Sequence, residues 1–363
     1  MSRSIRGLMA LACASTLALG LAACGGDDEG GGGGGGGGGS DAVRVAMISS
    51  GSHTDSSFVQ SWWQGAQEAQ EELGDAADVS WTDGLNSLDA LDRAAGAALT
   101  EGNEYLLIST SEAPQLVDKY AQRFPDQWVC DIETPRESYP PNVCTMFPRY
   151  YEGAFLAGAL AGLVTETDKV GAVSAFDIPI QNLQVEAFLL GARYTNPDVA
   201  LARANTESFI DAGAGRAAAQ AQFAAGNDVV LSALDEGTRG IFAAAEANDG
   251  LVITQYTDQY DSAPTVVLTS VLYRQDAISK RMIETAVEGA LEAKSYDFGL
   301  AEIGAGELAP FRGTTGERVS GEAANRIDEI QAAIVDGTLQ LPDIATLSKR
   351  GSADRVDLAS LEG

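Results

Sequence analysis

Between positions 43 and 334, continuous apolar runs typical of strands alternate with segments in which apolar residues have helical spacing. Residues Val43–Ile48 form a nearly continuous apolar run, which is typical of a strand buried on both faces. From Phe58 onward, apolar residues recur at every third or fourth position until Gly74, which predicts a helix that ends at a glycine. The same alternation predicts further strands at 79–81, 105–108, 128–131, 170–174, 200–204, 229–231, 251–255 and 266–270, and helices at 88–99, 114–124, 153–164, 180–194, 213–225, 238–247, 275–291 and 324–334.

Strands that alternate with helices predict parallel sheets covered by helices on both faces. The roughly 320 residues after position 41 are more than a single hydrophobic core usually accommodates. We therefore predict an α/β protein of two doubly wound lobes joined by a hinge. Ligand is expected at the carboxyl ends of strands that face the cleft. The predicted division is 42–148 plus about 259–295 for the first lobe, 149–258 plus about 296–345 for the second, and 346–363 as a C-terminal tail.

The N-terminus has the order of features that is typical of an exported lipoprotein. Arg3 and Arg6 precede an apolar run at 8–21 that is too short to span a bilayer stably, which predicts a signal peptide over 1–23. The run ends in Leu-Ala-Ala-Cys, which resembles a lipobox with Cys24 as the lipidated residue. Ten glycines at 30–39 follow, and we expect 24–41 to be a flexible tether of roughly 20–25 Å. The predicted location is the outer face of the cell membrane, through the lipid anchor alone.

Composition narrows the classes of function. The chain has 52 Asp and Glu against 23 Lys and Arg, a formal net charge of -29, and no basic stripe, which excludes nucleic acid as a partner. His53 is the only histidine, and the sequence has no P-loop, no Gly-x-Ser-x-Gly motif and no Cys/His cluster with zinc spacing. We therefore predict a protein that is not an enzyme and has no cofactor and no metal.

Five motifs stand out beyond the tether. They are 51–65, 152–158, 169–171 with 177–179, 196–198, and 269–271 with Arg274 and Asp276. In this order they resemble the basic membrane lipoprotein (BMP) family, whose PnrA-like members are receptors of ABC importers and often bind purine nucleosides. The resemblance implies a type I periplasmic-binding-protein-like fold, a small-molecule ligand, and an ABC permease and ATPase as partners; we expect a monomer.

The resemblance also implies ligand contacts. Phe58 and Phe209 match the two aromatic residues that stack on the purine, although the helical spacing of Phe58 fits a core position equally well. Asp131 aligns with a carboxylate that hydrogen-bonds the base edge. The small residues of the loop 49–57, which include Asp55, can hold an oxygen-rich ligand at the start of a helix. His53 belongs to the same loop, where it either contacts ligand or lies in solvent.

Several positions depart from the family. Ser49 stands where the nucleoside receptors of the family have an Asp-containing dipeptide. Asp235 lies in a turn that contains more glycine in other members of the family. A further family Asp is replaced by Tyr256, with Asp258 nearby, and a family lysine is replaced by Tyr273. A purine nucleoside is therefore the leading ligand, while a free base or another planar or hydroxylated molecule remains open.

The state of the two cysteines after the tether stays open. Cys130 ends a predicted strand and Cys144 follows a proline-containing loop, so in an exported protein they either form a disulfide or are two independent buried thiols.

Three classes of function also stay open. They are a transport receptor, a sensor lipoprotein that signals to a membrane protein, and a nucleoside hydrolase. The tether, the predicted fold and the motifs agree best with the transport receptor.

Overall fold

The computed structural model describes residues 42–111, 113–132 and 135–362; the predicted signal peptide, Cys24 and the tether lie outside the described residues. Residues 42–362 contain twelve strands in two sheets, each with six strands. The strands are β1 Val43–Ile48, β2 Ala77–Thr82, β3 Tyr105–Ile108, β4 Trp128–Asp131, β5 Val143–Pro148, β6 Lys169–Ser174, β7 Ala200–Asn205, β8 Val229–Ala233, β9 Leu251–Gln255, β10 Val267–Leu272, β11 Ser295–Phe298 and β12 Glu307–Leu308.

Helices follow most of these strands. They are α1 Phe58–Leu73, α2 Leu88–Thr100, α3 Pro114–Arg123, α4 Tyr150–Val164, α5 Pro179–Thr195, α6 Ala212–Ala224, α7 Thr238–Asn248, α8 Gln275–Val287, α9 Leu300–Ile303, α10 Gly313–Gly316, α11 Gly321–Asp336 and α12 Ile344–Leu347. Helices α3 and α5 begin at Pro114 and Pro179, where the missing N–H costs no helical hydrogen bond. Among the described residues, no helix is both long enough and apolar enough to cross a bilayer.

Each sheet forms the centre of one lobe. The first sheet has the order β11-β5-β4-β3-β1-β2 with parallel pairing, and the second has the order β12-β10-β9-β8-β6-β7, in which only β12 pairs antiparallel. In the first lobe, α1 and α8 cover one face and α2 and α3 cover the other. In the second lobe, α4 and α5 cover one face, and α6 and α7 the other. The predicted α/β fold with two doubly wound lobes is confirmed.

The predicted lobe boundaries need correction at three places. Strand β10 was assigned to the first lobe, but it pairs parallel with β9 in the second sheet. Strand β11 lies mostly in the segment from about 296 that was assigned to the second lobe, but it extends the first sheet beside β5, and α8 packs on α1 in the same lobe. A buried apolar run fits either sheet, so its spacing does not show which sheet it joins. The predicted tail is also part of the second lobe, since Leu347, Ala353 and Leu361 are buried in its core.

The chain crosses between the lobes three times. The crossings follow β5, β10 and β11, and hydrogen bonds tie them to one another. The Arg149 N–H donates to the Phe298 carbonyl at 2.7 Å, and the Tyr273 hydroxyl donates to the Tyr150 carbonyl at 3.0 Å. These adjacent crossings form the hinge region of the structure.

Candidate functional site

A cleft lies between the two lobes and encloses about 430 Å³ of space, part of it open to solvent. The lining residues come from the carboxyl ends of β1, β3, β4, β8 and β9, from the loop after β7, from the first turns of α1 and α4, and from the first two turns of α5. This is the position in which parallel α/β folds bind ligands. The lining residues are Ser50, Phe58, Thr110, Ser111, Ile132, Tyr150, Ile180, Gln181, Gln184, Phe209, Asp235 and Tyr256.

Both lobes contribute aromatic rings to the cleft. Phe58 comes from the first lobe, and its ring meets that of Tyr256 edge to face at a centroid distance of 5.1 Å. Phe209 comes from the second lobe and meets Phe176 in the same way at 5.4 Å. The Phe209 carbonyl accepts hydrogen bonds from the N–H groups of Asp235 and Gly237, both at 3.0 Å, which fixes its loop to the end of β8. The cleft can therefore hold a planar apolar surface.

Polar groups accompany these rings. On the first lobe, the hydroxyls of Ser50 and Thr110 are hydrogen-bonded at 2.9 Å. On the second lobe, Gln184 donates from Nε2 to the Tyr256 hydroxyl at 3.3 Å, and Asp235 lies nearby. Burial raises the pKa of Tyr256 well above its ordinary value, and the charge of Asp235 raises that pKa further. Tyr256 is therefore a neutral phenol at physiological pH.

Tyr256 has an unusual backbone. Its φ is +80°, in the left-handed region that a residue with a side chain rarely adopts. Such a conformation costs on the order of 1–3 kcal/mol and persists where the surrounding structure enforces it. Here the Tyr256 N–H donates to the Val271 carbonyl at 2.8 Å, and the side chain is 5% exposed. The strained turn directs the ring into the cleft from the end of β9.

Four of the residues predicted from sequence line the cleft: Phe58, Phe209, Asp235 and Tyr256. Ser49 does not line it, because its buried hydroxyl donates to backbone carbonyls, among them that of Ser109 at 3.0 Å. The neighbouring Ser50 faces the cleft instead.

Tyr273 and Asp258 also lie away from the cleft. Tyr273 is fully buried, and its ring packs edge to face on Tyr150 at a centroid distance of 4.7 Å. Tyr273 therefore packs against Tyr150, which lines the cleft, on the side away from the cleft. Asp258 lies on the surface, where it forms an ion pair with Arg312 at 2.5 Å.

The sequence analysis assigned the loop after β1 to ligand binding, but Asp55 in this loop has a structural role. Both Asp55 oxygens accept backbone N–H groups at the start of α1, from Ser57 at 2.8 Å, Val59 at 2.9 Å and Gln60 at 3.1 Å. Burial raises the Asp55 pKa, although these hydrogen bonds oppose the shift. Asp55 therefore caps the helix that carries Phe58.

His53 faces the outer surface of the first lobe. Its ring packs on that of Trp63 at 4.9 Å, and Nδ1 lies 2.7 Å from a carboxylate oxygen of Asp83. Its side chain is 40% exposed and does not line the cleft.

Asp131 lies beside the cleft without lining it. It is 1% exposed, accepts a hydrogen bond from the Thr145 hydroxyl at 2.9 Å, and forms an ion pair with Arg136 at 2.8 Å. These two partners direct the carboxylate of Asp131 away from the cleft lining. The adjacent Ile132 is the residue that reaches the cleft.

Cys130 and Cys144, for which the sequence left a disulfide or two free thiols open, form a disulfide in the structure. Cys130 on β4 and Cys144 on β5 are register partners in adjacent parallel strands, with Cα atoms 4.5 Å apart, and their sulfurs form a disulfide. The bridge closes the segment that carries Asp131 and Ile132. It therefore fixes the end of β4, from which Ile132 reaches the cleft, to β5.

Several lining residues were missed by the sequence analysis. Thr110 and Ser111 belong to the polar run that begins after the predicted strand 105–108, and polar residues at the carboxyl end of a parallel strand are a signal that could have found them. Tyr150 and Gln181 lie in the first turns of helices and Gln184 lies in the second turn of α5, where spacing alone gives no such signal. Within residues 42–111, 113–132 and 135–362, no group of three or more His, Cys, Asp or Glu side chains could hold a metal ion.

Comparison with known proteins identifies the family. A family model described as "ABC transporter substrate-binding protein PnrA-like" matches residues 42–330. A CD4+ T-cell-stimulating antigen of Listeria monocytogenes is 27% identical, with 92% of this chain and 98% of the relative covered. A purine-binding protein of Brucella abortus is 22% identical, with 82% and 83% covered.

Solved structures agree on the fold. A solute-binding protein of an ABC transporter system from Aeropyrum pernix K1 superposes with a TM-score of 0.77 at 22% identity, and the match covers 88% of this chain and 100% of that chain. The corresponding protein from Conexibacter woesei gives a TM-score of 0.62 at 23% identity, with 84% and 99% covered. The family consists of solute-binding receptors rather than enzymes. The chain belongs to the PnrA-like family of ABC transporter substrate-binding proteins.

Proposed function

We propose that this receptor holds a purine nucleoside, or a related planar ligand, between its lobes and delivers it to an ABC importer. The observation that carries the proposal is the pair of aromatic rings, Phe58 on the first lobe and Phe209 on the second, that line one cleft. Stacking on an aromatic ring contributes about 1–3 kcal/mol per face to the binding of a base. The name of the Brucella relative, a purine-binding protein, supports the same ligand class.

A ligand between the two rings couples binding to closure. Phe58 and Phe209 belong to different lobes, so a ligand contacts both rings only when the lobes approach each other. The three adjacent crossings allow such a hinge motion. A transport receptor needs this coupling, because the importer must distinguish the loaded receptor from the empty one.

We further propose that Cys24 carries a lipid that anchors the receptor on the outer face of the cell membrane. The proposal rests on the sequence of the signal peptide and lipobox, since both lie outside the described residues. The glycine tether keeps the receptor near the importer without restricting its orientation.

Calorimetry on the full-length protein in detergent tests the ligand class. Guanosine, inosine, adenosine and their free bases are titrated separately, with glucose as a sugar that lacks an aromatic ring. Binding of at least one purine compound is expected, and comparison of each nucleoside with its base shows whether ribose is recognised. If no purine compound binds while glucose does, the proposed ligand class is wrong and only the receptor role stands.

A further inference from the structure

Gln184 has an unsatisfied hydrogen-bonding group inside the cleft. The residue lies on the second turn of α5 and is 3% exposed. Its Nε2 donates to the Tyr256 hydroxyl, and its Oε1 is buried without a hydrogen-bond partner among the described residues. A buried acceptor without a donor destabilises the protein unless something else supplies that donor.

The neighbouring Gln181 shows what a structural glutamine looks like in this cleft. Its Oε1 accepts the N–H groups of Ala175 at 2.7 Å and Phe176 at 3.3 Å, and its Nε2 donates to the Ala233 carbonyl at 3.3 Å. Both ends of its carboxamide are used to connect β6, α5 and β8. Gln184, one turn later on the same helix, is equally buried but has only one end in use.

The contact with Tyr256 occupies only the nitrogen end of the Gln184 carboxamide. Nε2 donates to the Tyr256 hydroxyl at 3.3 Å, and burial together with the charge of Asp235 raises the pKa of that phenol, so it stays protonated. Oε1 is then the end of the carboxamide without a partner in the described part of the chain, on a residue that lines the cleft.

We propose that Gln184 is a specificity-determining residue whose Oε1 accepts a hydrogen bond from an exocyclic amino group of the ligand. The inference rests on the proposed function, because it names the chemical feature by which one planar heterocycle is preferred over another. A ligand without a donor at this position leaves Oε1 unpaired, and we expect it to bind about 10- to 100-fold more weakly.

The test compares ligands that differ only in one donor. Adenosine is paired with purine riboside, which lacks the 6-amino group, and guanosine is paired with inosine, which lacks the 2-amino group. Affinities are measured by calorimetry for the full-length wild type, for Gln184→Met, and for Gln220→Met as an exposed control on α6. A purely structural role would lower both affinities of a pair equally, so the ratio within each pair is the decisive quantity.

We expect the wild type and Gln220→Met to prefer the amino-bearing member of at least one pair by tenfold or more. Gln184→Met, which keeps the side-chain volume but has no carboxamide, should reduce that ratio to within about threefold. Gln184→Glu should retain the ratio, because a glutamate keeps an acceptor oxygen whether it is ionised or protonated.

Three results would overturn the inference. An unchanged ratio in Gln184→Met would show that another group reads the donor, and the proposed ligand class would stand. A wild type that prefers the donor-free members, or neither member of either pair, would show that Oε1 does not accept a hydrogen bond from a ligand amino group. If the wild type bound none of the four compounds, the proposed function would fail and this inference with it. Circular dichroism and the melting temperature establish that each variant is folded, and Gln184→Glu provides a second test if Gln184→Met is not.

Discussion

The buried carboxylate of Glu186 is expected to contribute strongly to the stability of the second lobe. Glu186 lies in α5, is 0% exposed, and accepts four hydrogen bonds. Two come from the Arg203 guanidinium at 2.7 and 2.8 Å, and two come from the N–H groups of Gly351 at 2.8 Å and Ala353 at 2.9 Å. One carboxylate thus fastens β7 and the C-terminal segment to α5.

The substitution Glu186→Gln keeps the volume and removes the charge. It places an NH₂ group where one oxygen accepted a backbone N–H, and it leaves Arg203 with Asp354, which is 51% exposed, as its remaining partner. Removal of one partner from a buried ion pair costs about 3–5 kcal/mol. Because Asp354 still balances part of the charge, we expect a loss near the lower end, about 3 kcal/mol of unfolding free energy.

Urea denaturation at pH 7 measures this loss as a shift in the transition midpoint at constant m-value. Glu166→Gln is the matched control, because Glu166 also pairs with an arginine, Arg318, but is 72% exposed. The control should change stability far less. A loss below about 1 kcal/mol in Glu186→Gln, or a loss equal to that of the control, would refute the reasoning.

Acidification gives an independent check with a defined sign. Burial raises the pKa of Glu186, but the hydrogen bonds from Arg203 and the two backbone N–H groups outweigh it, so the folded pKa lies below the ordinary 4.5. A depressed carboxylate pKa stabilises the fold above the unfolded value, and this stability is lost as the pH falls through the folded pKa. The difference between wild type and Glu186→Gln should therefore shrink as the pH is lowered from 4.5.

Three further predictions concern the ligand, the disulfide and the anchor. Phe58→Ala and Phe209→Ala should each weaken binding of every ligand by about 1–3 kcal/mol in calorimetry; unchanged affinity in either variant would contradict stacking between the lobes. Free-thiol labelling of the unfolded, unreduced protein should find neither Cys130 nor Cys144, and labelling of both would contradict the bridge. Cys24→Ala should yield an unlipidated protein in the soluble fraction or an unprocessed precursor, whereas a membrane-bound protein with its signal removed would argue against the anchor.

The repeating elements could be predicted from the sequence because their burial is periodic. The apolar run at β1 and the strands at β3 and β9 have the predicted bounds, since most residues of each strand are buried and form a continuous apolar run. Membership of a sheet could not be predicted in the same way. Strand β10 is as apolar as its neighbours in either lobe, and only its pairing with β9 decides its place.

The site was harder to predict than the fold, for a reason that Ser49 and Ser50 show clearly. Adjacent residues at a strand end point in opposite directions, so an offset of one position exchanges a buried hydroxyl for one that faces the cleft. Tyr150 and Gln184 were missed because a buried ring and a buried amide each resemble a core position on a helix. Asp55 was assigned to ligand because a carboxylate that caps a helix has the same sequence signature as one that binds.

The three crossings have a consequence for how the protein matures. A chain that is exported N-terminus first presents β1 to β5 long before α8 and β11, which complete the same sheet. The strands of the second lobe emerge in between, so the first lobe cannot acquire all its native contacts until residue 298 has crossed the membrane. Pairing at such long sequence separation is slow. Neither lobe can therefore be produced as one uninterrupted fragment, and a chain truncated before β11 would leave the edge of β5 unpaired and prone to aggregation.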